Sequence, residues 1–163
     1  MYQTGHYGGA LTAYAPLGTF VALMGYGEIA AVGGLVCVAL STLPDFDHRL
    51  PLIDHRGPTH TILFALAVGA GLATLAAVFV DASSPFVDVG INAFAFLVGV
   101  ASISSHLLAD ALTPMGIRPF WPFSRRRYSF AVTTAANPVA NYGLLGLGLA
   151  ATLAGLSITL LVG

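Results

Sequence analysis

Lysine is absent from this chain, and charge of either sign is scarce. Six arginines and seven acids make up 8% of its 163 residues, for a net charge of −1 at pH 7. Bulk charge therefore gives no pointer to nucleic acid, and no charge run or low-complexity tail suggests disorder. The single cysteine, Cys37, excludes an intramolecular disulfide; set in an apolar run, it reads as a small buried hydrophobe. No cation precedes the first apolar stretch, so the charged start of a cleaved signal peptide is missing and His6 is expected to be retained. There is no internal repeat, no Gly-x-Ser-x-Gly elbow and no phosphate-binding P-loop.

What the chain has instead is apolar sequence. It is 56% hydrophobic with a mean hydropathy of +0.84, and several runs approach the roughly 20 helical residues that cross a hydrocarbon core about 30 Å thick. Such unbroken apolar surface would aggregate in water. The fold expected is an all-α integral membrane bundle, a single domain over residues 1–163. Five helices are expected, over 4–23, 28–43, 59–80, 91–112 and 139–162, with Gly25-Tyr26-Gly27 turning the chain between the first two. Fusing those two into one kinked span would give four crossings.

Arginine placement separates the two counts. Arg49 and Arg56 lie between the second and third helices, and Arg118, Arg125, Arg126 and Arg127 between the fourth and fifth. The opposite connections hold Glu28, Asp81 and Asp88. The positive-inside rule assigns loops 44–59 and 113–138 to the cytoplasmic side of an inner (plasma) membrane. With five crossings the N-terminus and His6 join that side; with four they are stranded on the other. In the longer loop Trp121 and Tyr128 stand where interfacial anchors stand. The arginine run 125–127 is expected to face anionic headgroups, each residue adding about 1 kcal/mol of attraction, with a dedicated lipid-substrate role as the second reading.

All five histidines fall at or beside the ends of hydrophobic segments, and four lie in three short stretches, two of which carry aspartate: Pro44-Asp45-Phe46-Asp47-His48, His55-Arg56-Gly57-Pro58-Thr59-His60 and His106-Leu107-Leu108-Ala109-Asp110. Neutral imidazole and carboxylate are ligands that zinc and manganese prefer. His106 and Asp110 share one helix face; in a membrane segment such a pair is costly unless coordinated or partnered. A plain His–Asp hydrogen bond between helices is the alternative. Asp45 and Asp47 can bridge cations, or cap the next turn of a solvated loop. His48 is a third ligand there or a donor behind the ligands.

His60 is expected to open the third helix with Thr59 as N-cap, where the positive helix end would keep its imidazole neutral and available to a metal. Arg56, beside the Gly57-Pro58 turn, could fold over the site and grip phosphate bidentately, or serve only as a positive-inside charge. His6, Asp45, Asp47, His60, His106 and Asp110 exceed what one zinc needs, which points to two or three ions. Such a site polarises a phosphoryl oxygen and activates water near neutral pH.

These stretches, with Gly5-His6, the run Ser105-His106-Leu107-Leu108-Ala109-Asp110-Ala111-Leu112-Thr113-Pro114-Met115-Gly116 and the later Trp121-Pro122, resemble the YdjM-like inner-membrane, metal-dependent hydrolases, in order and through about residue 124. More loosely, the arrangement is similar to the helical zinc phospholipase C and single-strand nuclease superfamily. That second resemblance implies a trinuclear zinc site for phosphoesters, carried by motif onto His6, Asp45, His60, His106 and Asp110. In that superfamily the mature N-terminal amine is also a ligand; the four residues before Gly5 should remove it here. Members of the first family often carry an acid after the aromatic loop, where this chain has Asn137-Pro138-Val139-Ala140-Asn141. Two ions then fit better than three. Helix capping is the expected role of Asn137, and either asparagine could offer a carbonyl oxygen.

The expectation is a membrane-bound hydrolase that cleaves a phosphoester with metal-activated water. A phospholipid or lipid-linked phosphate is the favoured substrate, and a nucleotide or nucleic acid the second. The six imidazole and carboxylate residues would hold zinc (or manganese), Arg56 would neutralise phosphate, and His55 or His48 would pass a proton to the leaving group. The rivals are a scaffold whose loops are tied by metal, and a metal transporter, whose ligands would sit nearer the membrane midplane.

Overall fold

Large apolar side chains face outward over most of this molecule, while polar ones are buried. Leu35, Val78 and Leu161 are 73%, 68% and 85% exposed, whereas His6, Ser41, Ser102 and His106 are fully enclosed. That inversion is what a hydrocarbon solvent selects, because backbone groups must be satisfied within helices and polar side chains must turn inward. The computed structural model describes residues 1–49, 56–81 and 83–162, with the backbone alone at 48 and 49. Among them stand five α-helices: α1 (Gln3–Leu23), α2 (Gly27–Leu40), α3 (Ile62–Phe79), α4 (Pro85–Ala111) and α5 (Pro138–Val162). Two 3-10 segments, Leu43–Arg49 and Pro58–His60, lie between α2 and α3.

Four segments are long and apolar enough to cross a membrane: Gly27–Asp47, Ile62–Phe79, Pro85–Ala111 and Pro138–Val162. The fifth helix of the expected bundle, α1, is 21 residues long but is not among these apolar segments. Gln3, Thr4, His6 and Tyr7 dilute its apolarity, and it can carry them because it packs against α5, α2 and α4. Fusion of α1 with α2 is ruled out. The chain reverses at Gly25, whose φ of 90° lies in the left-handed region that glycine enters without strain. The reversal returns α2 alongside α1 and leaves His6 at the same end as the last turn of α4.

Two helix starts differ from expectation. α4 begins at Pro85 rather than at Ile91, since the Ser84 hydroxyl accepts from the Val87 N–H at 3.3 Å and Pro85 needs no donor partner at the first position. α3 begins at Ile62, not at Thr59. Its cap is Thr61, whose hydroxyl accepts from the Phe64 N–H at 3.1 Å and donates to the Pro58 carbonyl at 2.8 Å. At the start of α5 Asn137 does cap, accepting from the Val139 N–H at 2.9 Å.

Small residues let the helices that carry the site approach closely. A methyl group added at Gly8 of α1 would strike the backbone of Leu144 on α5, and one at Gly99 of α4 would lie 2.8 Å from the Gly69 Cα on α3. After α4 the chain forms a short hairpin closed by paired backbone bonds between Ile117 and Tyr128, 2.9 and 2.8 Å long. Ile117 packs with Ala65, Ile103, Leu107 and Ala111, and the Pro119 carbonyl accepts from the Ile62 N–H at 2.9 Å, so the hairpin is seated on α3 and α4.

Candidate metal centre

Two breaks in helical structure and two helices deliver the chemistry to one point. α2 ends at Ser41, and Pro44, which cannot donate, turns the chain into the 3-10 segment that carries Asp45 and Asp47. Pro58 starts the single turn that carries His60, and α4 presents His106 and Asp110 one turn apart. His6 arrives from the first turns of α1. One ligand atom from each of His6, Asp45, His106 and Asp110 lies within 4.8 Å of every other. Nε2 of His6 is 3.8 Å from Asp45 Oδ2 and 3.7 Å from Asp110 Oδ1, and Nε2 of His106 is 3.5 Å from Asp45 Oδ1. A zinc tetrahedron with bonds of about 2.0–2.1 Å has edges of roughly 3.3 Å, so these separations stand just outside it.

The hydrogen bonds behind the cluster fix which atoms face inward. His106 Nδ1 lies 2.7 Å from the Ser41 carbonyl, which can only accept, so Nδ1 carries the proton and Nε2 turns a lone pair to the centre. The Thr59 hydroxyl donates to Asp47 Oδ2 at 3.0 Å, so towards His60 Nδ1, also at 3.0 Å, it acts as acceptor. His60 Nε2 then faces Asp110 Oδ2 at 3.5 Å, Asp45 Oδ1 at 3.7 Å and His106 Nε2 at 3.1 Å.

His6 differs from its neighbours. Its ring stacks on His106, with centroids 3.8 Å apart, and neither buried nitrogen has a hydrogen-bond partner among the described residues. Burying such a group unsatisfied costs roughly 1–3 kcal/mol, and a cation shared with Asp45 and Asp110 would satisfy it. Two imidazoles and two carboxylates are a donor set that suits zinc or manganese, so the residues fit the metal that the sequence implies.

Asp110 is heavily engaged. Its Oδ1 takes Arg56 Nη2 at 3.0 Å and the Met1 nitrogen at 2.6 Å, while Oδ2 faces His60 and His106. The four residues before Gly5 therefore do not carry the Met1 nitrogen away from the site, contrary to expectation. Instead Asn141, 1% exposed on α5, accepts from the Tyr2 N–H at 3.0 Å and holds that segment down. Its amide group is spent there and on the Ala135 and Asn137 carbonyls, so the carbonyl-ligand role considered for it is corrected.

Of the residues singled out in the sequence, His6, Asp45, His60, His106 and Asp110 come together. Asp47 is placed otherwise: its Oδ2 takes the Arg56 N–H and the Thr59 hydroxyl, both at 3.0 Å, and lies 3.4 Å from Nδ1 of His60, on that ring's outer side. Arg56 does not lean outward; besides Asp110, its Nη1 bonds Thr113 Oγ1 and the Gly116 carbonyl at 3.1 and 3.0 Å. Its φ of 60° is costly for a residue with a Cβ, by about 1–3 kcal/mol, and these contacts hold it. The His48 side chain and all of His55 lie outside the described residues. His60 is not held neutral by a helix N-terminus, because it precedes α3. Burial lowers its pKa, but hydrogen bonds to the Asp110 and Asp45 carboxylates outweigh burial and raise it above the ordinary 6.5. Thr113 and Gly116 had no role in the sequence reading, although both stood in the quoted run after Asp110.

An integral membrane bundle with a buried histidine–aspartate group gathered at one end is the class these observations define. The model of the YdjM inner membrane protein family matches residues 1–162, and the chain belongs to that family. It is a multi-pass inner-membrane protein. None of the curated proteins and none of the solved structures matches it.

Proposed function

We propose that this end of the bundle is the centre of a metal-dependent hydrolase acting on a phosphoester at the membrane surface. The observation that carries the reading is the four-residue group, closed by His6, His106 and Asp110 and open at Asp45, which is 28% exposed. A structural metal site is fully ligated and sealed, whereas a catalytic one keeps an approach for substrate. A divalent ion there, zinc or manganese, would polarise a phosphoryl oxygen and lower the pKa of a water.

The chain's own groups supply the rest. Asp45 and Asp110 balance the charge of one divalent ion, and His6 and His106 add neutral donors. These four would hold one of the two or three ions expected from the sequence. The Ser41 carbonyl and the Asp47–Thr59 pair orient the two rings that face the carboxylates. Arg56 fixes Asp110 and keeps one buried N–H, at Nε, without an acceptor among the described residues, a donor suited to a phosphate oxygen. His60, between Asp45 and Asp110, is placed to hold a proton beside the reacting atoms. Because these groups stand at helix ends, a phospholipid or lipid-linked phosphate is favoured over a soluble nucleotide.

Enclosure of three of the four residues favours one rival, a scaffold in which metal only ties the N-terminus, α2 and α4 together. The test is metal analysis of purified protein followed by a phosphoester panel, with His106→Ala and Asp45→Ala as controls. Bound metal, with turnover lost in both variants, supports the hydrolase. Metal retained with no turnover of any phosphoester favours the scaffold, and full activity in both variants removes this group from the mechanism.

A further inference from the structure

The hairpin after α4 presents a surface that the proposed chemistry leaves unused. Arg125, Arg126 and Arg127 are all exposed, and none pairs with a carboxylate among the described residues, where Arg56 is the arginine that does. They are not loosely arranged. Arg127 Nη1 donates to the Met115 carbonyl at 2.7 Å, and the Arg126 guanidinium stands 5.3 Å from the centre of the Tyr128 ring. Arg118, at the hairpin's root, keeps a buried Nε–H with no acceptor among the described residues.

Aromatic side chains flank these cations on both sides in sequence. Phe120, Phe123 and Phe130 are 47%, 89% and 69% exposed, and no helix covers them. The hairpin joins the ends of two membrane spans and caps the start of a third through Pro119, so it lies where hydrocarbon gives way to headgroups. Guanidinium groups beside exposed rings at that depth match a phosphate above acyl chains. A soluble acidic protein or free phosphate would match the cations and leave the rings unexplained. The same hairpin is tied to the site, because the Gly116 carbonyl at its root accepts from Arg56, which holds Asp110.

We infer that hairpin 117–128 binds the headgroup of an anionic phospholipid and presents that lipid class to the neighbouring histidine–aspartate group; the second half rests on the hydrolase reading. Trp121, the one tryptophan of the chain, sits in the hairpin and reports contact without turnover. The full-length protein is placed in vesicles of equal parts phosphatidylcholine and phosphatidylglycerol, with one lipid or the other brominated to quench tryptophan.

Brominated phosphatidylglycerol is expected to quench the wild type several-fold more effectively. Arg125→Gln with Arg126→Gln should bring that preference close to parity, and added salt should narrow it in the wild type. Phe123→Ser should weaken quenching by both lipids. Equal quenching in the wild type, or a preference untouched in the double variant, overturns the inference. A lipid preference in protein that turns over no phosphoester upholds the surface and sinks the hydrolase reading. Turnover of soluble phosphoesters without lipid preference does the reverse.

Discussion

The two ends of the bundle hold the same kinds of residue and use them differently. At the end opposite the site, Glu28 and Asp88 sit in the first turns of α2 and α4, where carboxylates complement the helix dipole, and both remain in contact with the surface. Between them lies an apolar groove of about 330 Å³ whose walls include Phe20, Met24, Phe86 and Phe94. At the site end Asp47 and Asp110 are 2% and 1% exposed and face histidines from other elements. Acids alone distinguish nothing. Burial together with convergence from four separate segments is what marks one end as chemical and the other as structural.

If that contrast is real, the largest effects come from Asp110. Asp110→Asn keeps the shape but leaves the Arg56 guanidinium buried without its charge partner. Breaking a buried pair in this way costs about 3–5 kcal/mol, and metal content should fall with it. Thermal unfolding in detergent, with metal analysis on the same samples, reads both. Asp88→Asn at the far end should change neither by a comparable amount, and equal losses at the two ends would erase the distinction. Next in size is Asp47→Ala, which frees His60 from its outer carboxylate. His60 stands against Asp45 and Asp110, so loosening its ring should weaken metal affinity measurably; an affinity unchanged by titration calorimetry would mean that the placing of His60 does not matter to binding.

Much of this layout could be read from the sequence, and the parts that could not share a cause. α2 to α5 were visible as apolar runs. Arginine parity put His6 on the side of the other histidines, where it stacks on His106. Hidden were contacts made across the fold by short polar groups: Thr59 to Asp47, Arg56 to Gly116, Asn141 to Tyr2. Local spacing carries no trace of them, because each joins segments that only tertiary packing brings together. α1 was legible as a helix but not as one too polar for the apolar criterion. Its polar face is spent against protein, a fact about neighbours and not about its own composition.

pH separates metal-bound from metal-free protein at the site end alone. His60 has a raised pKa, so without metal its protonated ring stabilises the fold fully below the ordinary value of 6.5, and that contribution is lost as pH rises through the raised value. A divalent ion held by the neighbouring four residues repels that proton, so metal affinity should climb across that window. Chelated protein should lose melting temperature as pH rises through the raised value while metal-loaded protein holds it. Parallel curves would show that no proton is exchanged for metal at His60.

The smallest predicted effect compares two helix caps of the same chemistry. Ser84 caps α4 at the far end and Thr61 caps α3 at the site end, each accepting one backbone N–H. Replacing either by alanine should cost about 0.5–2 kcal/mol of stability. Their consequences should then part. The Thr61 hydroxyl also donates to the Pro58 carbonyl and so clasps the turn that presents His60. Thr61→Ala should therefore lower metal affinity measurably, while Ser84→Ala should leave it alone at a similar loss of melting temperature. Matching affinities in the two variants would show that the site tolerates movement of the Pro58–His60 turn, and His60 would then stand outside the set of residues on which binding depends.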